Sequence, residues 1–252
     1  NCILWGNSAG VDGNQGWIDD IGTTLKVAYC CYPEGVNETG GNGHPTEVTC
    51  CHEDPLFRTP GSDYRLKAGS YCFDAGDKYR MPSGTVSDLD GNSRVMGRNV
   101  DIGCYELNVI RVPSDQPTIQ AGVDAAADWD VVLLADGIYS GVGNHDIDFR
   151  GKRIAVRSEH GSDFCRIDCQ GLAGANARGF YFHSGETADS VLDGVSIING
   201  YVEESGSLPG GGGGGILCDN SSPTIRNCEI EDCSVYGSSV TGGHGCGGAI
   251  VG

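Results

Sequence analysis

Short strand-like segments recur in this chain at a nearly constant spacing. Gly179-Phe180-Tyr181-Phe182-His183-Ser184, Gly214-Gly215-Ile216-Leu217-Cys218-Asp219 and Gly247-Gly248-Ala249-Ile250-Val251-Gly252 start 35 and 33 positions apart. A second series runs in step, from Val191-Leu192-Asp193-Gly194-Val195-Ser196 to Pro223-Thr224-Ile225-Arg226-Asn227-Cys228, 32 positions on. A period of this size, in units too small to bury a core alone, marks an array in which each unit stacks on its neighbours. Because the units are strands between Gly, Asn and Ser turns, the expected array is a parallel β-helix. Side chains alternate inward and outward, and inward positions stack about 4.8 Å apart. Ile225, Cys228 and Ile230 are expected inside, with Asn227 at a bend where its amide bonds the next turn. The run Gly210–Gly215 is expected to be an outer loop or tight bend. It lacks the Lys-Ser/Thr and the helix that a phosphate cradle needs.

Composition supports an all-β chain. The 42 glycines would each cost a helix interior about 1 kcal/mol relative to alanine, and they lack the period of collagen. The net charge of −18, from 16 basic and 34 acidic residues, argues against nucleic acid or an anionic membrane as partner. No apolar stretch approaches the ~18 residues of a membrane span.

The chain has thirteen cysteines: Cys2, Cys30, Cys31, Cys50, Cys51, Cys72, Cys104, Cys165, Cys169, Cys218, Cys228, Cys233 and Cys246. Such usage points to disulfides in an oxidising, extracellular setting. The odd count leaves at least one thiol free or bonded to another chain. Cys30-Cys31 and Cys50-Cys51 lie near His44 and His52, which raises zinc as a rival. Adjacent cysteines are ill-placed to face one tetrahedral ion, so disulfides are preferred. Asn37 and Asn220 head Asn-x-Ser/Thr triplets and are candidate glycosylation sites.

The order of the chain is unusual. Residues 131–252 read as the rungs of a β-helix, starting from Val131-Val132-Leu133-Leu134. Residues 108–130 read as a linker and an amphipathic capping helix, with Ser114 or Asp115 as N-cap, Pro117 in the first turn and Ile119 and Val123 on one face. Residues 1–107 read as an irregular, disulfide-rich closing region that precedes the cap it should follow.

Pro117-Thr118-Ile119-Gln120-Ala121-Gly122-Val123, then Leu133-Leu134-Ala135-Asp136-Gly137-Ile138-Tyr139, resembles the start of bacterial right-handed parallel β-helix proteins with a pectin-lyase-like fold. Ser222-Pro223-Thr224-Ile225-Arg226-Asn227-Cys228 is similar to their rung consensus. Asn1-Cys2-Ile3-Leu4-Trp5-Gly6-Asn7, Asp74-Ala75-Gly76-Asp77 and Asp101-Ile102-Gly103-Cys104-Tyr105-Glu106 resemble the closing region of surface-exported members that carry a sorting anchor. The resemblance implies a right-handed coil at a bacterial cell surface. It does not imply an activity, because the fold hosts enzymes, adhesins and spacers alike.

Two explanations of the inverted order stand open: a window on a longer tandem array, or a protein that assembles end to end. If Asn1 followed Gly252 directly, Cys2 would fall 26 positions after Cys228, within the range of one turn of such a coil. The expected function is therefore an extracellular structural protein forming a head-to-tail homopolymer. Asn1, Cys2, Ile3, Leu4, Trp5, Asn227, Cys228, Ile250 and Val251 would form its joint, and Cys2 is a candidate inter-chain disulfide.

The alternative is a carbohydrate-binding surface module or a polysaccharide lyase or hydrolase. Trp5, Trp17, Tyr29, Tyr32, Tyr64 and Tyr71 are candidate sugar-stacking residues. Of the hydrolase motifs the resemblance brings, Gly243-His244-Gly245 and Asp19-Asp20 occur, in reversed order, and no spaced carboxylate pair suits an inverting site. Lys152-Arg153 near Asp146 and Asp148 would be the lyase-like set, with alternating charges on an exposed strand as the plainer account. No catalytic residues and no organic cofactor are assigned. Asp88, Asp90 and Asn92 place oxygen ligands on alternate residues, as in part of a calcium loop, although position 99 is Asn where such a loop ends in Glu. A plain Asp/Gly/Asn turn is the competing account.

Overall fold

The computed structural model describes residues 3, 16–18, 26–32, 39–41, 46–48, 50–204, 212–237 and 250–251. The chain divides into two compact units, Asn1–Asn108 and Val109–Gly252. Both are built of short strands, and the helix Ile119–Ala125 is the single α-helix among the described residues.

In the first unit, β1 (Gly16–Ile18) pairs parallel with β3 (Thr39–Gly41), and β2 (Lys26–Ala28) with β4 (Thr46–Val48). Parallel bridges link Ile3 to Cys31 and Cys31 to Cys51. An antiparallel hairpin follows, β5 (Phe57–Thr59) with β6 (Asp63–Leu66). Residues 67–108 are turns and one 3-10 helix, Lys78–Arg80, with Ala68, Cys72, Val100 and Ile102 buried.

The second unit is a stack of parallel strands. Its strands are β7 (Val109–Val112), β8 (Val131–Leu134), β9 (Gly137–Ser140), β10 (Ala155–Ser158), β11 (Cys165–Asp168), β12 (Phe180–Phe182) and β13 (Val191–Asp193). They continue as β14 (Ser196–Ile198), β15 (Tyr201–Glu204), β16 (Ile216–Cys218), β17 (Thr224–Arg226), β18 (Glu229–Glu231), β19 (Ser234–Gly237) and β20 (Ile250–Val251). The spatial orders are β17-β13-β10-β8-β7, β18-β14-β11-β9 and β12-β16-β20, with β15 beside β19. Side chains from the three larger sheets meet in one core, in which Phe149 sits edge-on to Phe180 and Phe182 at centroid distances of 6.2 and 4.9 Å.

The turns between strands follow from residue choice. Gly194 and Asn227 occupy equivalent corners with φ of 72° and 54°, and Asn199 (56°) and Asp232 (51°) occupy the next. This left-handed conformation is open to glycine and is visited most readily after it by Asn and Asp. At its corner Asn227 bonds across to Asp193 Oδ1 (2.8 Å), so its partner on the neighbouring turn is a carboxylate.

The pairing register corrects the spacing in the sequence by one residue. Phe180 pairs with Ile216 and Ile216 with Ile250, at separations of 36 and 34, and Leu192 pairs with Ile225, at 33. Side-chain direction alternates along a strand, so a slip of one residue would turn buried Ile216 outward. Inward apolar positions therefore decide the register, and the aligned glycines do not. Gly212–Gly215 are buried, which corrects the expected outer loop. A Cβ on Gly200 would fall on the Gly214 carbonyl.

Two further expectations are corrected. The segment read as linker carries β7, which heads the five-stranded sheet, with Val109 and Val112 buried. The helix α1 (Ile119–Ala125) is capped by Thr118, whose Oγ1 accepts from Ala121 N at 3.2 Å, and not by Ser114 or Asp115. Asp115 instead accepts the Arg111 N–H across the turn that follows β7 (2.8 Å). Ile119 and Val123 enter the core, and α1 lies on β7 and β8. Gly122 permits the approach: a Cβ there would meet Val132 and Val112 methyls at 2.8 and 3.0 Å.

Candidate functional site

The two ends of the second unit differ. At one end α1 covers the sheets, and its last carbonyls at Val123, Asp124 and Ala126 accept the Lys152 ammonium at 2.7 to 2.9 Å. At the other end, among the described residues, no strand continues the two larger sheets beyond β17 and β18. Leu192 and Ile197 are fully buried, whereas their stacked equivalents Ile225 and Ile230 are half-buried, as are Cys228 and Cys233. Among the described residues these last strands thus carry the least buried of the apolar inward positions in their sheets. Asp193 on β13, itself 5 % exposed, joins β10 through Arg157 (3.3 Å) and β17 through Arg226 (3.0 Å).

Of the expected joint, Asn227 and Cys228 lie at this end, and Ile250 and Val251 form β20 beside β16. Ile3 bridges Cys31 in the first unit. Asn1, Cys2, Leu4 and Trp5 fall outside the described residues, as do Cys246, Asn37, Asp19, Asp20, His44 and Gly243-His244-Gly245. Asn220 is exposed, at φ 49°, with its amide bonded to Asp219.

The cysteines serve two settings. In the second unit Cys165, Cys169, Cys218, Cys228 and Cys233 carry free thiols against the core. Cys165 and Cys228 hold equivalent places with Val195 between them, about 9.6 Å apart at two strand spacings, too far for a disulfide. Burial pushes the Cys165 and Cys169 thiols up to about 12. In the first unit the Sγ atoms of Cys31, Cys51 and Cys72 all lie within 4.8 Å of one another. Cys104 is exposed.

The expected calcium ligands are engaged by the protein. Asp88 accepts N–H bonds from Asp90, Asn92 and Glu106 at 2.8 to 3.0 Å. Burial works against its charge, but these donors hold its carboxyl below the usual range. Asp90 meets the Arg65 guanidinium with both oxygens, at 2.7 and 2.6 Å. This is the hydrogen bonding of an Asp turn, and calcium would have to displace Arg65 to use Asp90. Beside the turn lies a buried set that the sequence did not single out: Glu106 pairs with Arg94 (2.8 Å) and accepts the Asp101 N–H (3.0 Å).

The lyase-like set is also committed elsewhere. Lys152 caps α1, and Arg153 binds Asp128 and lies over the Trp129 ring at 4.7 Å. Asp148 faces His183 (3.4 Å), whose ring stacks on Tyr181 at 4.0 Å, and Arg178 lies over Tyr181. Of the aromatic residues proposed for sugar stacking, Tyr32 is buried against His52. Tyr64 is exposed and lines a cavity of about 460 Å³ in the first unit, together with Phe57, Leu66, Ile102 and Tyr105.

No family model, curated protein or solved structure matches the chain. No helix among the described residues is long and apolar enough to cross a membrane.

Proposed function

We propose that the chain is an extracellular, non-enzymatic structural module. In this reading its parallel sheets are the faces of a right-handed β-helix, capped by α1 at one end and open at β17 and β18. The open edge takes the first strands of another copy, which extends the coil head to tail. The observation that carries the proposal is the loss of burial from Leu192 to Ile225 and from Ile197 to Ile230 at β17 and β18, which end their sheets among the described residues. A strand added there would pair the exposed backbone and cover the apolar positions, the usual source of affinity in strand addition. Cysteines near the joint, Cys2 and Cys228, would sit within one turn of each other across it.

Negative-stain electron microscopy of native, non-reduced protein tests this directly. Filaments with a regular axial repeat are expected, and gels with and without reductant show whether the joint is covalent. Monodisperse monomer at high concentration removes the proposal. It would bring forward a polysaccharide-binding module, for which the cavity edged by Phe57, Tyr64 and Tyr105 is the supporting feature. Glycan-array binding, abolished by Tyr64→Ala, would establish that second reading.

A further inference from the structure

The thiol cluster of the first unit has no part in that joint. Cys31 and Cys51 face each other across a parallel bridge, held by Tyr32 N to Cys51 O (3.0 Å) and Cys51 N to Cys30 O (2.8 Å). Cys72 comes from a separate turn, fixed by its N–H to Ser70 Oγ (3.0 Å), while the Ser70 hydroxyl donates to Pro55 O (2.7 Å). Cys31 and Cys72 are fully buried and Cys51 is 9 % exposed. The Cys31 and Cys51 sulfurs are 3.5 Å apart, and all three lie within 4.8 Å. Glu53 flanks them, with its carbonyl oxygen 3.2 Å from Cys31 Sγ and its exposed carboxylate 3.4 Å from Cys51 Sγ.

Two chemistries gather thiols in this way. A disulfide could span the backbone spacing of paired strands, about 4.8 Å, but it would join only two of the three buried sulfurs and leave the gathering of the third unexplained. A tetrahedral zinc ion with Zn–S bonds of about 2.3 Å sets its sulfurs about 3.8 Å apart, compatible with one pair at 3.5 Å and all three within 4.8 Å of one another. We propose that Cys31, Cys51 and Cys72 hold one zinc ion as thiolates, with the exposed Glu53 carboxylate, 3.4 Å from Cys51 Sγ, swinging in from the solvent side as fourth ligand. Each Zn–S bond that forms replaces an S–H bond, whose proton leaves to water. The ion would join three segments of the first unit that share little regular structure, a structural role. The inference is independent of end-to-end assembly.

The full chain, reduced and stripped of metal without air, is titrated with cobalt alone and then zinc alone. One cobalt per chain is expected, with an intense thiolate charge-transfer band and the visible bands of a tetrahedral site, both erased by zinc. Zinc should protect three thiols from alkylation. Cys72→Ser should weaken cobalt binding by about a hundredfold or more, Glu53→Gln should keep the thiolate band and shift the visible bands, and Cys104→Ser should change neither. Should Cys72→Ser fail to fold, Glu53→Gln and the alkylation pattern decide. A folded wild-type chain without the cobalt band overturns the proposal, as does a Cys31–Cys51 disulfide in protein kept from air.

Discussion

Glu106 shows how much one buried carboxyl can control. Burial, and then the charge of Asp101, push it up to about 9, with Arg94 pulling the other way. In the unfolded chain a Glu titrates near 4.3. Between those values the folded state keeps a proton that the unfolded state has lost, so the stabilisation is complete below about pH 4.3 and falls as pH rises towards 9. Denaturant midpoints measured from about pH 5 to 9 should therefore decline, and Glu106→Gln should flatten the decline. Equal slopes for the two proteins would show that Glu106 is ionised in the fold. Nothing in the sequence announced this group, because its partners Arg94 and Asp101 are brought to it by turns with no periodic pattern. The cysteine cluster was hidden for a different reason. Treating Cys30-Cys31 and Cys50-Cys51 as whole pairs argues against a shared ion, but the direction of side chains alternates along extended chain. One member of each pair faces Cys72, and each pair then contributes one thiol to the cluster.

Among the elements, α1 and the parallel strands were legible because their apolar residues recur with helical and alternating periods. Their register was not. Glycines and turn residues recur at 35, 33 and 32 positions, while the stacked pairs Phe180–Ile216, Ile216–Ile250 and Leu192–Ile225 recur at 36, 34 and 33. Turns absorb an extra residue at little cost, whereas an inward side chain turned outward loses its burial. The aromatic stack around Phe149 shows what that burial is worth. Phe149 is fully buried and touches Phe180 and Phe182 from a loop between strands. Phe149→Ala should cost about 3 to 5 kcal/mol, whereas Val142→Ala, at a side chain 91 % exposed, should stay within about 0.5 kcal/mol. Urea denaturation of both variants checks this, and a small loss at Phe149 would mean that the core closes over the gap.

For the whole molecule, opposing forces meet at the proposed joint. The chain carries a net charge of −18, so copies approaching end to end repel one another. The joint itself is made of backbone hydrogen bonds and apolar side chains, of which Ile225 and Ile230 are the half-buried representatives. Salt screens the repulsion, with a Debye length of about 30 Å at 0.01 M falling to about 8 Å at 0.15 M, and leaves apolar burial nearly untouched. Assembly followed by sedimentation should accordingly increase as salt is raised over that range. Ile230→Asp should suppress it at every salt concentration, because it places a charge in the contact; since Ile230 packs on the core, the thermal midpoint of the monomer falls too, and assembly is compared at a temperature where the variant is still folded. A joint made chiefly of ion pairs would show the opposite salt dependence and would tolerate Ile230→Asp, and that pair of results would remove the strand-stacking account of assembly.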